Sequence, residues 1–162
     1  MSTQVGASVI TSQTGHDTLA GSHMRFIVQG HDVVSFSPGS DHNHIEMQKG
    51  SVVFLSGTGN TIIGRGDVAV AELGPRSNHN TFVIGPGVTS FSGANIQPSD
   101  AFRLYGFTRE DIASAFANKR QASPHSELLT FSHPGGATVR VALGFEHPRD
   151  APTIAQFHAV PG

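Results

Sequence analysis

The sequence predicts an all-β protein: a parallel β-solenoid of about 20-residue coils, closed by one short helix and a C-terminal β-hairpin cap. Three observations predict it. Short β-like runs closed by glycine alternate with longer β-like runs closed by polar loops, the short runs recur at a nearly fixed step, and the pattern changes abruptly at Thr108. A repeat of this length marks units that cannot bury their own apolar face and build a core by stacking.

The short runs begin at Met24, His44, Thr61, Thr81 and Ala101, in steps of 20, 17, 20 and 20. The longer runs begin at Asp32, Ser51, Asp67 and Val88, in steps of 19, 16 and 21. Two strands per coil imply two opposed parallel sheets. Residues 1–16, with only Val5, Val9 and Ile10 as apolar anchors, read as an N-terminal tail, a cap, or a strand exchanged with a neighbouring subunit. Residues 17–107 form the solenoid. The loops Pro38 to Asn43, Gly74 to Asn80 and Gly93 to Asp100 recur on one side of the coil and predict a protruding edge.

Residues 108–162 form the cap. Thr108 followed by Asp111 is an N-cap signature, and Ile112, Ala115 and Phe116 fall on one helical stripe, which predicts a helix over about 109–121 lying across the open end of the stack. Leu128 to Phe131, the turn His133-Pro134-Gly135-Gly136, and Thr138 to Leu143 read as a hairpin. The C-terminal residues from Pro148 on, with Pro152 and Pro161, read as an irregular tail.

Composition narrows the function. Ten Lys plus Arg against 12 Asp plus Glu leave a formal charge of −2, so no basic field favours nucleic acid or an anionic membrane surface. No apolar stretch has the length of a membrane span, and Met1 to Thr18 lacks the basic start and apolar run of a secretory signal, so export through a cleaved N-terminal signal is not expected. The absence of cysteine removes disulfides, thiol chemistry and thiolate metal sites together.

Gly57-Thr58-Gly59-Asn60-Thr61-Ile62-Ile63-Gly64 and Gly64-Arg65-Gly66-Asp67-Val68-Ala69-Val70, with fainter echoes at His16-Asp17 and Gly30-His31-Asp32, resemble the glycine-rich nonapeptides of repeats-in-toxin β-roll proteins. Phe107 to Phe145 resembles the helix, strand, glycine turn and strand that follow such repeats. The resemblance implies a right-handed coil, type I export from a bacterium without a cleaved N-terminal signal, an extracellular or cell-surface location, and calcium in the turns, here at Asp17, Asp32, Asn60 and Asp67. The sequence departs from that pattern: most turns lack the paired glycines and the aspartate, and Asn60 replaces one aspartate. One carboxylate per turn is too little charge for tight calcium binding, so few sites or none are expected.

His42, His44 and Glu46 are the candidate transition-metal ligands, because residues two apart on a strand share a face. Such positions lie about 7 Å apart, too far to share one ion without a bulge. Ser40-Asp41-His42-Asn43 and Ser77-Asn78-His79-Asn80 precede short strands at matching positions and read as stacked polar loops. Arg65-Gly66-Asp67 spells an adhesion tripeptide but falls where the repeat itself wants glycine and aspartate. No nucleophile elbow or zinc-protease helix occurs, and the acids Glu46, Asp67, Glu72 and Asp100 cannot be paired from sequence.

The expectation is therefore a non-enzymatic, secreted bacterial structural protein that assembles with itself, as an oligomer or filament, in a surface or matrix that includes polysaccharide. The alternative is a calcium-dependent folding and secretion module of a secreted polysaccharide-acting enzyme or protease. A carbohydrate-binding or carbohydrate-cleaving β-helix ranks third, because one Tyr and no Trp leave few aromatic platforms for sugar.

Overall fold

The computed structural model describes residues 9–13, 15–74, 76–85, 87–136 and 138–160. Five coils, each of one strand in either sheet, run from the N-terminus: β1 (Val9–Thr11) and β2 (His16–Leu19); β3 (Arg25–Val28) and β4 (Val33–Phe36); β5 (His44–Met47) and β6 (Val52–Leu55); β7 (Thr61–Gly64) and β8 (Gly66–Glu72); β9 (Thr81–Ile84) and β10 (Val88–Ala94). They are followed by β11 (Ala101–Tyr105), α1 (Arg109–Ala117), β12 (Arg120–Ser123), β13 (Ser126–Ser132), β14 (Thr138–Gly144) and β15 (Phe157–Val160). The predicted two-sheet parallel solenoid is present: one sheet has the order β1-β3-β5-β7-β9-β11-β15 and the other β12-β13-β14-β10-β8-β6-β4-β2.

Strand alternation sets the core. In β5, β6, β7 and β9 every second residue is buried, as a pleated strand with one face inward requires. Parallel in-register pairing then stacks like positions into rows. Ile10, Phe26, Ile45, Ile62, Phe82, Phe102 and Phe157 form one inward row. Val34, Val53, Val70, Gly93 and Leu143 face it from the other sheet. Towards the C-terminal end the row becomes a ring stack, with Phe102 and Phe157 parallel at 4.5 Å and Phe82 and Phe102 at 5.2 Å.

The corners before the first sheet's strands carry a second, polar ladder. The backbone N–H groups of Met24, Asn43, Asn60 and Asn80 donate in turn to the side-chain oxygens of Asn43, Asn60, Asn80 and Asp100, each at 2.9 to 3.0 Å. The amides of Asn43, Asn60 and Asn80 donate back to the carbonyls of Gly21, Ser40 and Gly57. Each rung thus satisfies backbone groups that a buried bend would otherwise orphan. Beside it, His23, His42 and His79 hold left-handed backbone (φ 52 to 58°), as does Gly59 at φ 70°. A Cβ on Gly59 would run into the His42 ring, so glycine is required at that coil.

The C-terminal end of the stack is filled by the residues after β11. β14 takes the next parallel place after β10, and β13 and β12 then extend that sheet antiparallel. The other sheet gains only β15 beyond β11. α1 fills the resulting wedge: Ile112 and Ala115 are buried, α1 packs on both β13 and β15, and Phe116 meets Phe157 edge to face at 5.0 Å. Lys119 Nζ, just past the helix, reaches Glu127 Oε1 of β13 at 3.2 Å.

Three expectations change. The helix ends at Ala117 rather than near 121: Asn118 leaves helical geometry, its backbone N–H and its amide both return to the Ser114 carbonyl, and Arg120–Ser123 joins β13 as an edge strand. The C-terminal segment is not irregular throughout, since Phe157–Val160 completes the aromatic stack. Val9–Thr11, in the segment read as a tail, a cap or an exchanged strand, pairs with β3 of its own chain, so strand pairing begins before residue 17. Val5 lies outside the described residues.

Replacing Asn60 by Ala removes the acceptor for the Asn43 N–H and the donor to the Ser40 carbonyl. It should cost about 2–4 kcal/mol by urea unfolding, against less than about 0.5 kcal/mol for Thr61→Ala on the outer face of the same coil. Equal losses would show that the ladder is decorative.

Candidate functional site

The polar corner is the part of the molecule where side chains of chemical interest gather, because successive coils place their loops in one line there. A groove of about 540 Å³ crosses three coils, between Pro38 and Asp41, Ser56 and Thr58, and Leu73 and Arg76. Asp41 Oδ1 accepts the Thr58 N–H at 2.9 Å, and Leu73 stands 48% exposed. A shallower depression, about 500 Å³, lies among His23, Arg25, His42 and His44.

Of the three predicted transition-metal ligands, His42 and His44 line that depression. His42 stacks on His23, ring centroids 5.2 Å apart. His44 Nε2 lies 3.9 Å from Glu46 Oε1, while both Glu46 oxygens accept Arg25 Nη2 at 3.1 Å. Glu46 is thus the ion-pair partner of Arg25 from the adjoining strand.

The four residues read as calcium turns sit in separate places, each with protein donors. Asp17 accepts the Gln13 N–H. Asp32 is buried, with Ser12 Oγ at 2.6 Å and the Gly15 N–H at 3.1 Å on its two oxygens. Asn60 is a rung of the corner ladder. Asp67 accepts the hydroxyls of Thr89 and Ser90, and these, Thr89 first, hold its carboxyl below the usual range. The same bonds tie the aspartate of the Arg65-Gly66-Asp67 tripeptide to the next coil. Among the described residues no three His, Asp or Glu side chains converge as a metal-holding group.

The acids left unpaired by sequence do form one pair. Glu72 and Asp100 meet inside the corner, 1% and 2% exposed. Glu72 Oε1 accepts the Asn80 amide at 2.6 Å, and Asp100 Oδ1 and Oδ2 accept the N–H groups of Asn80 and Gln97 at 3.0 and 2.8 Å. Burial, then the neighbouring Asp100, pushes the Glu72 carboxyl well above the carboxylate range; burial raises Asp100 as well. So enclosed a pair offers no path to a glycoside, which needs its two carboxyls on either side of an accessible bond. Its signal was present in the sequence: Glu72 has the inward parity of Val68 and Val70, on the otherwise apolar face of its strand. The ladder was also legible, since Asn43, Asn60, Asn80 and Asp100 each stand immediately before a short strand.

No family model, curated protein or solved structure matches the chain.

Because the turn carboxylates already hold protein donors, thermal unfolding should give the same midpoint with added calcium and with excess chelator. A midpoint that rises with calcium would place an ion in these corners.

Proposed function

We propose that this chain is a non-enzymatic structural protein, an extracellular bacterial β-solenoid that assembles with itself, and that the N-terminal coil is its assembling end. One observation carries the reading: among the described residues nothing pairs with the outer edges of β1 and β2. Val9 is 50% exposed there, and Ile10 and Leu19, which finish the core at that end, are only half-buried. An open strand edge is a template for another chain. The opposite end is filled by α1, so it does not present two free parallel edges. One open and one capped end favour a closed pair of chains, related by a two-fold axis, over an endless stack.

The extracellular setting and type I route rest on the likeness to repeats-in-toxin proteins, as does contact with surface polysaccharide. The carboxylates that calcium would need are already engaged, which supports assembly through strand edges over a calcium-dependent secretion module.

The edge itself supplies a clean variant. Ser12 N–H donates to Ile27 O of β3, so by parallel alternation the N–H of Ile10 also faces β3 while those of Val9 and Thr11 face outward. Thr11→Pro therefore removes an outward donor and spares the ladder within the chain. Light scattering on eluted protein should give at least twice the mass of one chain for the wild type, with or without chelator, and the mass of one chain for Thr11→Pro. A wild-type monomer that folds only with calcium would sink the proposal.

A further inference from the structure

We infer that Glu72 carries a structural proton: its carboxyl is the neutral O–H donor that completes, toward Asp100, a corner ladder whose other rungs end in an asparagine amide, and this makes the C-terminal coils responsive to pH.

The rungs at residues 43, 60 and 80 are asparagines, each with an oxygen to accept and an amide to donate. At the fourth rung the chain has Asp100, which accepts only. The coil below replies with an acid where the inward row would otherwise be apolar: Leu55 is paired with Glu72 across β6 and β8. Glu72 Oε1 is used by the Asn80 amide, but Glu72 Oε2 is buried with no hydrogen-bond partner of its own among the described residues. Two ionised carboxylates enclosed side by side, with one oxygen unsolvated, are among the costlier arrangements a fold can hold. A proton on Oε2 removes the second charge and turns the orphaned acceptor into a donor. Asp100 can receive it, because each of its oxygens accepts a single N–H and keeps a lone pair.

Among the described residues few groups face the pair. Asn80 and the Gln97 N–H come from the flanking loops, and His79 is the charge that acts on Asp100, favouring its ionised form when protonated. Gln156 fastens the same corner from the C-terminal segment, its amide donating to the carbonyls of Gln97 and Asp100 at 3.2 and 3.0 Å. The proton thus sits where the last coil, the segment before β15 and the corner ladder meet.

The direction of the pH effect follows. Both acids hold their protons more tightly folded than unfolded, so their contribution is complete below the ordinary carboxylate range and is lost as pH rises toward the folded-state values. One extra proton bound by the folded state lowers the folding constant up to about tenfold per pH unit through that window.

Urea unfolding from pH 5.5 to 8.5 tests this, read as the difference between wild type and Glu72→Gln so that the histidines cancel. Glutamine keeps the acceptor for Asn80 and supplies a permanent donor for Asp100. Glu72→Gln should overtake the wild type as pH rises, by up to about tenfold in folding constant per unit. Asp100→Asn, which restores an amide to the rung, should flatten the wild-type slope as well. Infrared spectra of the folded protein in D₂O at neutral pH should show a protonated-carboxyl band that Glu72→Gln lacks. Parallel pH profiles for wild type and Glu72→Gln, or the absence of that band from the folded wild type, would overturn the inference.

Discussion

Everything in this molecule depends on closing a corner. A solenoid must turn its backbone from one sheet to the other in every coil, and each turn buries amide groups that neither sheet can satisfy. Here the bend before the first sheet is satisfied by its neighbour: the N–H of one coil donates to a side-chain oxygen of the next, from asparagine at three rungs and Asp100 at the fourth, at nearly constant distance. Once that ladder fixes the register, parallel pairing follows, and the inward residues fall into rows without further instruction. The left-handed histidines at 23, 42 and 79 belong to the same solution, because the bend requires that conformation and a ring can lie over the adjoining coil.

The ladder also explains the order of the core. In-register stacking puts like beside like, so Phe82, Phe102 and Phe157 overlap as rings and Val34, Val53 and Val70 as branched aliphatics. Where rows crowd each other, glycine gives way: a Cβ on Gly64 would lie 2.7 Å from Val68 Cγ2, and one on Gly93 2.8 Å from Ile96 Cδ1. The stack stops where repetition stops. β13 reverses direction, one sheet outgrows the other, and α1 occupies the difference. A helix fills one end, while among the described residues β1 and β2 stand at the sheet edges of the other, and this gives the chain a polarity.

Much of the fold was legible because parity and period are local signals. Phe26, Ile45, Ile62, Phe82 and Phe102 recur on the same step as their strands, and Thr108 with Asp111 marks the helix start by side-chain chemistry that the structure bears out at 2.8 and 3.1 Å. The helix end was not legible, since Asn118 to Gln121 are compatible with helix and only pairing with Glu127 and Leu128 makes Arg120–Ser123 a strand. β15 was hidden for the same reason: four residues after a proline-rich stretch have no period of their own, and Phe157 becomes a core residue only because Phe102 lies beneath it. At the polar corner, the asparagines could be read from spacing, whereas the meeting of Glu72 with Asp100 depends on the end of β8 coming against the loop before β11.

Amide hydrogen exchange tests the central claim most directly. If side-chain rungs hold the corners, the N–H groups of Met24, Asn43, Asn60 and Asn80 should exchange as slowly as those of the buried strand residues Ile45, Ile62 and Phe82, although they lie in loops. If those four exchange at the rate of exposed turns while the strands stay protected, the sheets hold the corners in place and the ladder does not hold the sheets.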